Sequence, residues 1–309
     1  MELVKNIEEA KFITHSGTMH ADEIFSTAFF DLLYGNIKVY RTPSIPTELD
    51  KDVLVYDIGR KEFDHHQEDA AIRENGIKYC SFGLIWKHFG REFLKKRNVE
   101  NIEDVFTYFD KDFIEAIDAD DNGVFPKIEA PYKVKTLSDI FKLFNPGYKS
   151  NQDVSIQFQK AVSFAKVLIE EELLSVIGKV TAKAEVLLAL EKKENHTLFL
   201  AEYMPYEQTL LSEESANDIY FVVYPSNRGG YGIKTVPLTQ EDHTKRWDFP
   251  EEWAGLENKQ LEEISGIKGL TFCHATRFLA CCDTLETAKI IISKALETSK
   301  PEETLAKTE

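Results

Sequence analysis

Short apolar runs alternate with longer amphipathic stretches over the first half of the chain. The runs at 11–16, 37–41 and 53–59 have the length and apolar content of β-strands, and the stretches that separate and follow them show helical spacing. The third run, VLVYDIG, is apolar at nearly every position before its aspartate. Such strands are typical of a parallel sheet that helices cover on both faces. The pattern therefore predicts an α/β fold built on a parallel sheet.

The second half of the chain has a different pattern, with several strand-like runs and a glycine-bearing turn at 226–230 before a final amphipathic helix over 284–296. The helices predicted in the first half cover 22–33, 81–97, 103–118 and 136–146. A long helical stretch separates the two halves. The sequence therefore predicts a first domain over 1–150, a helical linker over 151–190 and a smaller α+β domain with a mixed sheet over 191–309.

The chain has 309 residues, of which 43% are hydrophobic, so it is long enough and apolar enough for two folded domains. Its four cysteines form no CxxC pair and two of them are adjacent, so we expect all four to be reduced. The N-terminal residues lack a signal-peptide pattern, and no apolar run approaches the roughly 18 residues of a spanning helix. These features predict a cytoplasmic protein that does not associate with membranes.

The net charge of −16 argues against a broad surface for double-stranded nucleic acid, because such binding depends on Lys and Arg that neutralise phosphates. A phosphate ligand would require a local positive site. A bound divalent cation can supply one even in an acidic protein, since it is often the largest local charge.

Histidines and aspartates collect at four places where predicted strands or helices end. They lie in HSGTMHAD, at the end of VLVYDIG, in FDHHQ and in AIDADDNG. Each cluster alone has a structural explanation, because such residues also cap helices or lie in solvent. In an open α/β sheet, however, the loops beyond the strand ends converge on one crevice. The four clusters together therefore predict a metal site.

Five motifs in this order, THSGTMHADE, DIG, FDHHQ, DADDNG and SGIKGLTFCHATRF, resemble the melanocyte proliferating gene one family, a branch of the DHH phosphoesterase superfamily. The likeness runs across nearly the whole chain, and the ordered set is specific where a lone DHH would not be. The resemblance implies a Rossmann-like metal domain followed by a smaller C-terminal domain that holds substrate. It also implies a 3′-5′ exonuclease that acts on short single-stranded RNA or oligonucleotides.

The same resemblance implies two divalent ions that share Asp57. The ligands of the first ion would be His15, His20 and Asp57. The ligands of the second would be Asp22, Asp57, His65 and Asp118, with Asp121 as the alternative to Asp118. His20 stands where many relatives carry an acid. Mixed imidazole and carboxylate ligands favour Mn²⁺ as the first choice, with Co²⁺, Fe²⁺, Zn²⁺ and Mg²⁺ as alternatives.

Catalytic roles are implied for two residues of FDHHQ that are not assigned as ligands. Asp64 would orient an imidazole, as carboxylates behind metal ligands do. His66 would donate to the scissile phosphate, while the two ions would activate the attacking water. No nucleophile from the protein is needed.

Substrate contacts are expected in the second half of the chain. His274, Arg277 and Arg228 are candidate phosphate ligands, although strand-end arginines are as often simply solvated. Relatives commonly carry a Gly-Gly pair where this chain has Ala280 and Cys281, and only glycine lets the backbone approach a phosphate so closely.

Two alternative functions use the same residues. A phosphoanhydride or small-phosphate hydrolase of the pyrophosphatase type would need the metals but no base-stacking surface. A non-catalytic metal- or nucleotide-binding protein would keep the ligands for stability. The expected partner is a single-stranded RNA or short oligonucleotide, and a homodimer is one possible assembly.

Overall fold

The computed structural model describes residues 1–46, 48–239, 242 and 244–297. The chain divides into two compact units, Met1–Ile177 and Gly178–Glu309. Each unit has its own sheet.

The described residues of the first unit form a four-stranded sheet whose neighbouring strands are all parallel. The strands, in chain order, are β1 (Glu2–Leu3), β2 (Phe12–His15), β3 (Lys38–Thr42) and β4 (Leu54–Val55). Their order across the sheet is β1-β3-β2-β4, so β2 is an inner strand. The parallel sheet that the apolar runs predict is confirmed.

The third of these predicted strands is shorter than the pattern suggests. The apolar run covers 53–59, whereas β4 ends at Val55. Asp57 has a φ of 54°, in the left-handed region, which a β ladder cannot accommodate. The aspartate therefore lies in the loop beyond the strand, and the strand cannot continue through it.

The helices of the first unit are α1 (Ala21–Tyr34), α2 (Ser81–Lys96), α3 (Ile102–Phe109), α4 (Glu115–Asp121) and α5 (Leu137–Phe141). Aromatic side chains fill the core between α1 and α2, where Phe29 lies 5.9 Å from Trp86 and 4.8 Å from Phe93 between ring centroids. All three of these residues are fully buried. The helix predicted over 103–118 is interrupted, because a π-helical segment over Asp110–Ile114 separates α3 from α4.

Helix α6 runs without interruption over Val154–Leu190 and corresponds to the helical stretch predicted over 151–190. Within the first unit it buries Phe158 and Ile169, and within the second it buries Val186. The boundary between the units, after Ile177, therefore falls inside this helix.

The described residues of the second unit form a five-stranded mixed sheet of order β5-β6-β7-β9-β8. Its strands are β5 (Thr197–Phe199), β6 (Phe221–Pro225), β7 (Tyr231–Thr235), β8 (Leu270–Cys273) and β9 (Leu279–Cys282). Its helices are α7 (Glu207–Ser212), α8 (Asn258–Ser265) and α9 (Leu285–Glu297). Only the β5/β6 pair is parallel among these neighbours. The predicted α/β class, with a parallel sheet followed by a separate mixed sheet, is confirmed.

Two further features concern the whole described chain. All four cysteines are free, as expected. Over the described residues, no helix has both the length and the apolar character needed to cross a membrane.

Candidate metal centre

The loop between β2 and α1 brings the first group of polar side chains together. His15 is the last residue of β2, and His20 is the N-cap of α1. Gly17 turns the chain between them with a φ of 98°, a conformation that other residues rarely adopt. The backbone N–H of His20 donates to Glu23 at 2.8 Å, which fixes the first turn of the helix.

The loop after β4 supplies the second group. Its start is held because the N–H of Asp57 donates to the carbonyl of Phe63 at 2.9 Å, so residues 57–63 form a closed turn. Asp64, His65 and His66 follow directly. The loop thus places the DHH residues beside the aspartate that follows the strand.

Four side chains form a first candidate ligand group: His15, His20, Glu23 and Asp57. One ligand atom from each lies within 4.8 Å of the others. His15 Nε2 is 3.1 Å from Asp57 Oδ2 and 3.6 Å from Glu23 Oε1. The three residues predicted to bind the first ion are therefore brought together, with Glu23 added.

Two further groups overlap the first. Asp57, His65 and His66 form one, and Asp22, His65 and Asp121 form the other. His65 Nε2 lies 3.7 Å from Asp57 Oδ1 and 3.4 Å from Asp121 Oδ2. Since Asp57 belongs to two groups and His65 to two, the three groups form one continuous centre.

The buried polar atoms of this centre fit a cation. Asp57 Oδ1 and His65 Nδ1 are buried and make no hydrogen bond to any described residue. Burial raises the pKa of Asp22 well above its usual range, and the negative charges of Asp57 and Asp121 raise it further. Burial and the charge of Asp57 likewise raise the pKa of Asp121 to about 7. A divalent cation would compensate these crowded carboxylates, so the side chains are positioned to hold a metal ion.

Asp118 and Asp121, the two alternatives for one ligand position, occupy different environments. Asp118 is fully buried and accepts hydrogen bonds from Arg73 Nε at 2.7 Å and from the backbone N–H of Cys80 at 3.0 Å. Asp118 belongs to none of the candidate ligand groups found among the described residues, whereas Asp121 belongs to the group with Asp22 and His65. The geometry therefore favours Asp121 at the centre and gives Asp118 a supporting position behind it.

The carboxylate of Asp64 is held by its own loop. It accepts hydrogen bonds from the backbone N–H groups of Arg60 at 2.5 Å and His66 at 3.1 Å, and from the ring of His66, Nδ1 to Oδ1, at 2.7 Å. Burial raises the pKa of Asp64, but these hydrogen bonds outweigh it and leave the pKa lowered. Asp64 thus orients the imidazole of His66, whose side chain is 61% exposed.

Comparison with known proteins gives the family of this chain. The family model MYG1_exonuc, described as an uncharacterised protein family (UPF0160), matches residues 11–296. The chain belongs to the MYG1 family. This confirms the resemblance to the melanocyte proliferating gene one family that the motifs indicate.

Curated MYG1 relatives are similar over nearly their full length. The MYG1 protein of Dictyostelium discoideum is 30% identical, with 93% of this chain and 96% of the relative covered. The MYG1 exonuclease of Mus musculus is 30% identical, with 89% and 82% covered. The MYG1 protein of Chlamydia trachomatis is 27% identical, with 92% and 96% covered. No solved structure matches the chain.

Sequence reasoning missed Glu23 in this MYG1 chain. Its side chain is fully buried, lies in the first ligand group and is 3.5 Å from Arg41 Nη2. The available signal was its position three residues after His20, the spacing of a capping box. A glutamate at that spacing is normally assigned to the helix end alone.

Sequence reasoning also missed Arg73, which is buried between two helical segments. It pairs with Asp110 at 2.5 and 2.8 Å and with Asp118 at 2.7 Å, and its guanidinium lies 4.4 Å from the ring centroid of Tyr79. The sequence offers no local signal for it, because the partners lie far along the chain.

The basic residues predicted to contact substrate lie in the second unit. Arg277 donates to the carbonyl of Phe249 at 3.1 Å and to Asp248 at 3.3 Å. The ring of His274 contacts Thr276 Oγ1 at 2.8 Å. Arg228 lies exposed in the turn between β6 and β7. Their roles in the MYG1 chain stay predictions.

The positions of the replaced Gly-Gly pair lie on β9. Ala280 pairs with Ile233 and Cys281 with Gly232 across the β7/β9 ladder. Ala280 is fully buried, so its side chain contributes to the sheet core.

Proposed function

We propose that this chain is a metal-dependent phosphoesterase, and specifically a 3′-5′ exonuclease that hydrolyses short single-stranded RNA or oligonucleotides. The observation that carries the proposal is the continuous centre of His and carboxylate ligand groups, joined through Asp57 and His65, beyond the ends of parallel strands. The name of the mouse relative, MYG1 exonuclease, supports the same activity. The DHH sequence at 64–66, which contributes His65 and His66 to this centre, supports placement in the DHH phosphoesterase superfamily together with the other ordered motifs.

The ligand groups divide into two sets for two divalent ions. His15, His20 and Asp57 would hold one ion, with Glu23 beside them. Asp22, Asp57, His65 and Asp121 would hold the other. The mixture of imidazole and carboxylate ligands suits Mn²⁺. When bound, such ions would lower the pKa of a water towards neutrality and compensate the charge of a phosphate.

The protein's own groups orient the substrate phosphate. Asp64 accepts the Nδ1–H of His66, which fixes the ring and turns its Nε2 towards the centre, 3.2 Å from His65 Nε2. His66, like His20, is an exposed imidazole of the centre, so it can donate to a phosphate oxygen and stabilise charge that develops during attack. The backbone N–H groups of Ser81 and Phe82 donate to Asp22 at 3.0 and 2.7 Å and hold that carboxylate at the start of α2.

Product analysis tests the proposal directly. The full chain, loaded with Mn²⁺, is incubated with a 5′-labelled single-stranded trinucleotide, with pyrophosphate and with a cyclic dinucleotide. We expect stepwise removal of mononucleotides from the 3′ end of the trinucleotide, and no such removal by the matched Asp57→Asn variant, which controls for contaminating nucleases.

The other outcomes decide between the alternatives. Hydrolysis of pyrophosphate without cleavage of the trinucleotide would replace the proposal with a phosphoanhydride hydrolase. Retention of metal with no turnover of any of the three substrates would indicate a non-catalytic binding protein. Efficient cleavage within a long blunt duplex at physiological salt would contradict the single-strand preference.

A further inference from the structure

Residues 123–135, named here the 123–135 segment, form an exposed loop that carries large apolar side chains. Phe125 is 59% exposed and Tyr132 is 72% exposed. Val124, Ile128 and Val134 are also exposed. A soluble protein rarely leaves such a run of apolar side chains in water unless the surface binds something.

Both ends of the 123–135 segment are fixed at the helix end that carries Asp121. At its start, the N–H groups of Gly123 and Val124 donate to the carbonyls of Asp120 and Ala119, at 3.2 and 2.8 Å. Just beyond its end, Thr136 Oγ1 donates to Asp120 Oδ2 at 3.1 Å. The loop therefore leaves and returns beside the metal centre, as in compact loops that carry function.

The middle of the segment is not part of a helix or sheet. Within the described chain, residues 125–135 make no backbone-to-backbone hydrogen bond. Pro126 and Pro131 restrict the backbone without adding donors. The side chains of the segment are thus presented to solvent rather than packed against a core.

The charge of the segment is opposite to that of the chain. It contains three lysines, Lys127, Lys133 and Lys135, and one glutamate, Glu129, and all four are exposed. The whole chain has a net charge of −16. A polyanionic substrate that approaches the carboxylates of the metal centre would therefore meet a local positive surface here.

We propose that the 123–135 segment is the surface that binds the single strand next to the metal centre, an inference that rests on the proposed function. Bases stack on the exposed faces of Phe125 and Tyr132, and the lysines contact phosphates. Surfaces that bind single strands combine aromatic rings with positive charge. The rings stack on bases, since every base has a face to stack, and the lysines contact the phosphate backbone. An apolar protein partner would not require the lysines.

Equilibrium binding tests the surface independently of cleavage. The probe is a fluorescein-labelled single-stranded RNA of about 12 nucleotides, within the range of single-strand site sizes. An inverted 3′-terminal nucleotide protects it from a 3′-5′ exonuclease. Dissociation constants are measured with the Mn²⁺-loaded full chain over a series of salt concentrations.

Paired variants separate ring, charge and structural effects. Phe125→Leu/Tyr132→Leu removes both rings and should weaken binding about tenfold, whereas Tyr132→Phe keeps the ring and should bind like the wild type. Lys133→Glu/Lys135→Glu should weaken binding and lower the salt slope by about 1.4, at roughly 0.7 per phosphate contact. The matched control Lys5→Glu/Lys160→Glu changes exposed lysines elsewhere in the first unit and should leave the slope unchanged.

Cleavage of a dinucleotide distinguishes this inference from the proposed function. A dinucleotide offers at most one base and no further phosphate beyond the scissile bond, so the variants should change its kcat/KM far less than they change binding of the protected RNA. If the wild type cleaves neither the trinucleotide nor the dinucleotide, the proposed function fails. The binding measurements with the protected RNA still test the surface. Four results would each overturn the inference. RNA binding is unchanged in Phe125→Leu/Tyr132→Leu, or Lys5→Glu/Lys160→Glu weakens it as much as Lys133→Glu/Lys135→Glu does. Alternatively, the variants lose as much kcat/KM on the dinucleotide as they lose affinity for the RNA, or the wild type binds polyglutamate as tightly as the RNA.

Discussion

The metal centre of the first unit and the basic residues of the second differ in what their polar atoms already contact. In the centre, Asp57 Oδ1 and His65 Nδ1 are buried and find no hydrogen-bond partner among the described residues. In the second unit, Arg277 has partners within its own fold, the Phe249 carbonyl and Asp248.

This difference separates a site from a structural contact. A buried polar atom without a hydrogen-bond partner costs about 1–3 kcal/mol. Such atoms also occur elsewhere among the described residues, as at Trp253 Nε1, but Asp57 Oδ1 and His65 Nδ1 lie in overlapping ligand groups, where a cation would supply the missing interactions. The position of Arg277 is already explained by its hydrogen bonds to the Phe249 carbonyl and Asp248, so no ligand is needed to account for it. The centre is therefore the firmer functional assignment, and the following predictions test that contrast in order of decreasing effect.

Asp57→Asn should produce the largest effect, because Asp57 belongs to two ligand groups. We expect loss of most bound metal, with affinity reduced by more than the roughly 10- to 100-fold that follows loss of a residue behind a ligand. Elemental analysis after loading with Mn²⁺ measures the ion content. Asp52→Asn changes an exposed aspartate near the same strand and serves as the control.

The same measurement can contradict the shared ligand. If wild-type protein holds at most one ion per chain after loading, the two-ion arrangement is wrong. If Asp57→Asn keeps full metal content, Asp57 is not a ligand, whatever the wild-type count.

Asp118→Asn should be mainly a stability change. Replacing this buried carboxylate weakens its contact with buried Arg73, and we expect the free energy of unfolding to fall by about 3 kcal/mol, measured in urea. Metal content should persist in the folded protein. Asp121→Asn should have the opposite effects. Metal content should fall, because one ligand is removed, and the free energy of unfolding should not fall, because one of several crowded negative charges is removed. If Asp118→Asn loses metal and Asp121→Asn keeps it, Asp118 is the ligand and Asp121 the supporting residue.

Much of the metal centre can be predicted from local sequence. His15 ends one strand of a parallel sheet and Asp57 follows its neighbour, and the carboxyl ends of such strands meet at one edge. His65 follows Asp57 by only eight positions, inside the same loop. Proximity in these cases depends on parallel strands that end at one edge of the sheet, which the apolar pattern predicts, although it does not predict the strand order.

The choice between Asp118 and Asp121 could not be predicted, because it depends on a distant residue. Arg73 precedes Asp118 by 45 positions and Asp110 by 37. Its pairs with these two residues span the π-helical segment that helical periodicity alone does not indicate. Tertiary contacts of this kind override local spacing.

Strand β9 shows the same limit in the second unit. Its residues, Leu279–Cys282, pair with β7 residues 45 to 51 positions earlier, with Tyr231 opposite Cys282. The sequence predicts no strand for this segment, although its backbone lies in the sheet between β7 and β8, and the substrate contact expected near it stays a prediction. Non-local pairing leaves little trace in so short a run.

His65→Ala and His66→Ala should separate a ligand from a substrate contact. His65→Ala should lower metal content and thermal stability, since a bound ion stabilises the fold by mass action. His66→Ala should keep the metal yet lose about 100-fold in turnover, the scale for one lost donor to a developing oxyanion. Asp64→Asn should also keep the metal and should lose less turnover than His66→Ala, because it misorients the His66 imidazole without removing it.

Metal content and a rate on one short oligonucleotide suffice for this comparison. If His66→Ala loses metal while His65→Ala keeps it, the roles are reversed. Full metal and full activity in both variants would make the FDHHQ stretch structural.

The smallest effects should come from the arginines of the second unit, where the fold already explains one of them. Arg277→Ala should lower the free energy of unfolding by about 1 kcal/mol, because it removes the donors to Phe249 and Asp248. Arg228→Ala should leave stability unchanged, since the residue is exposed in a turn. If Arg228 contacts a phosphate, this variant should lower the salt slope of single-strand binding by about 0.7, and Arg228→Lys should restore it. If Arg277→Ala instead keeps its stability and loses binding with the same salt signature, the second unit holds the more important phosphate contact, and partners within the fold do not disqualify a residue as a ligand.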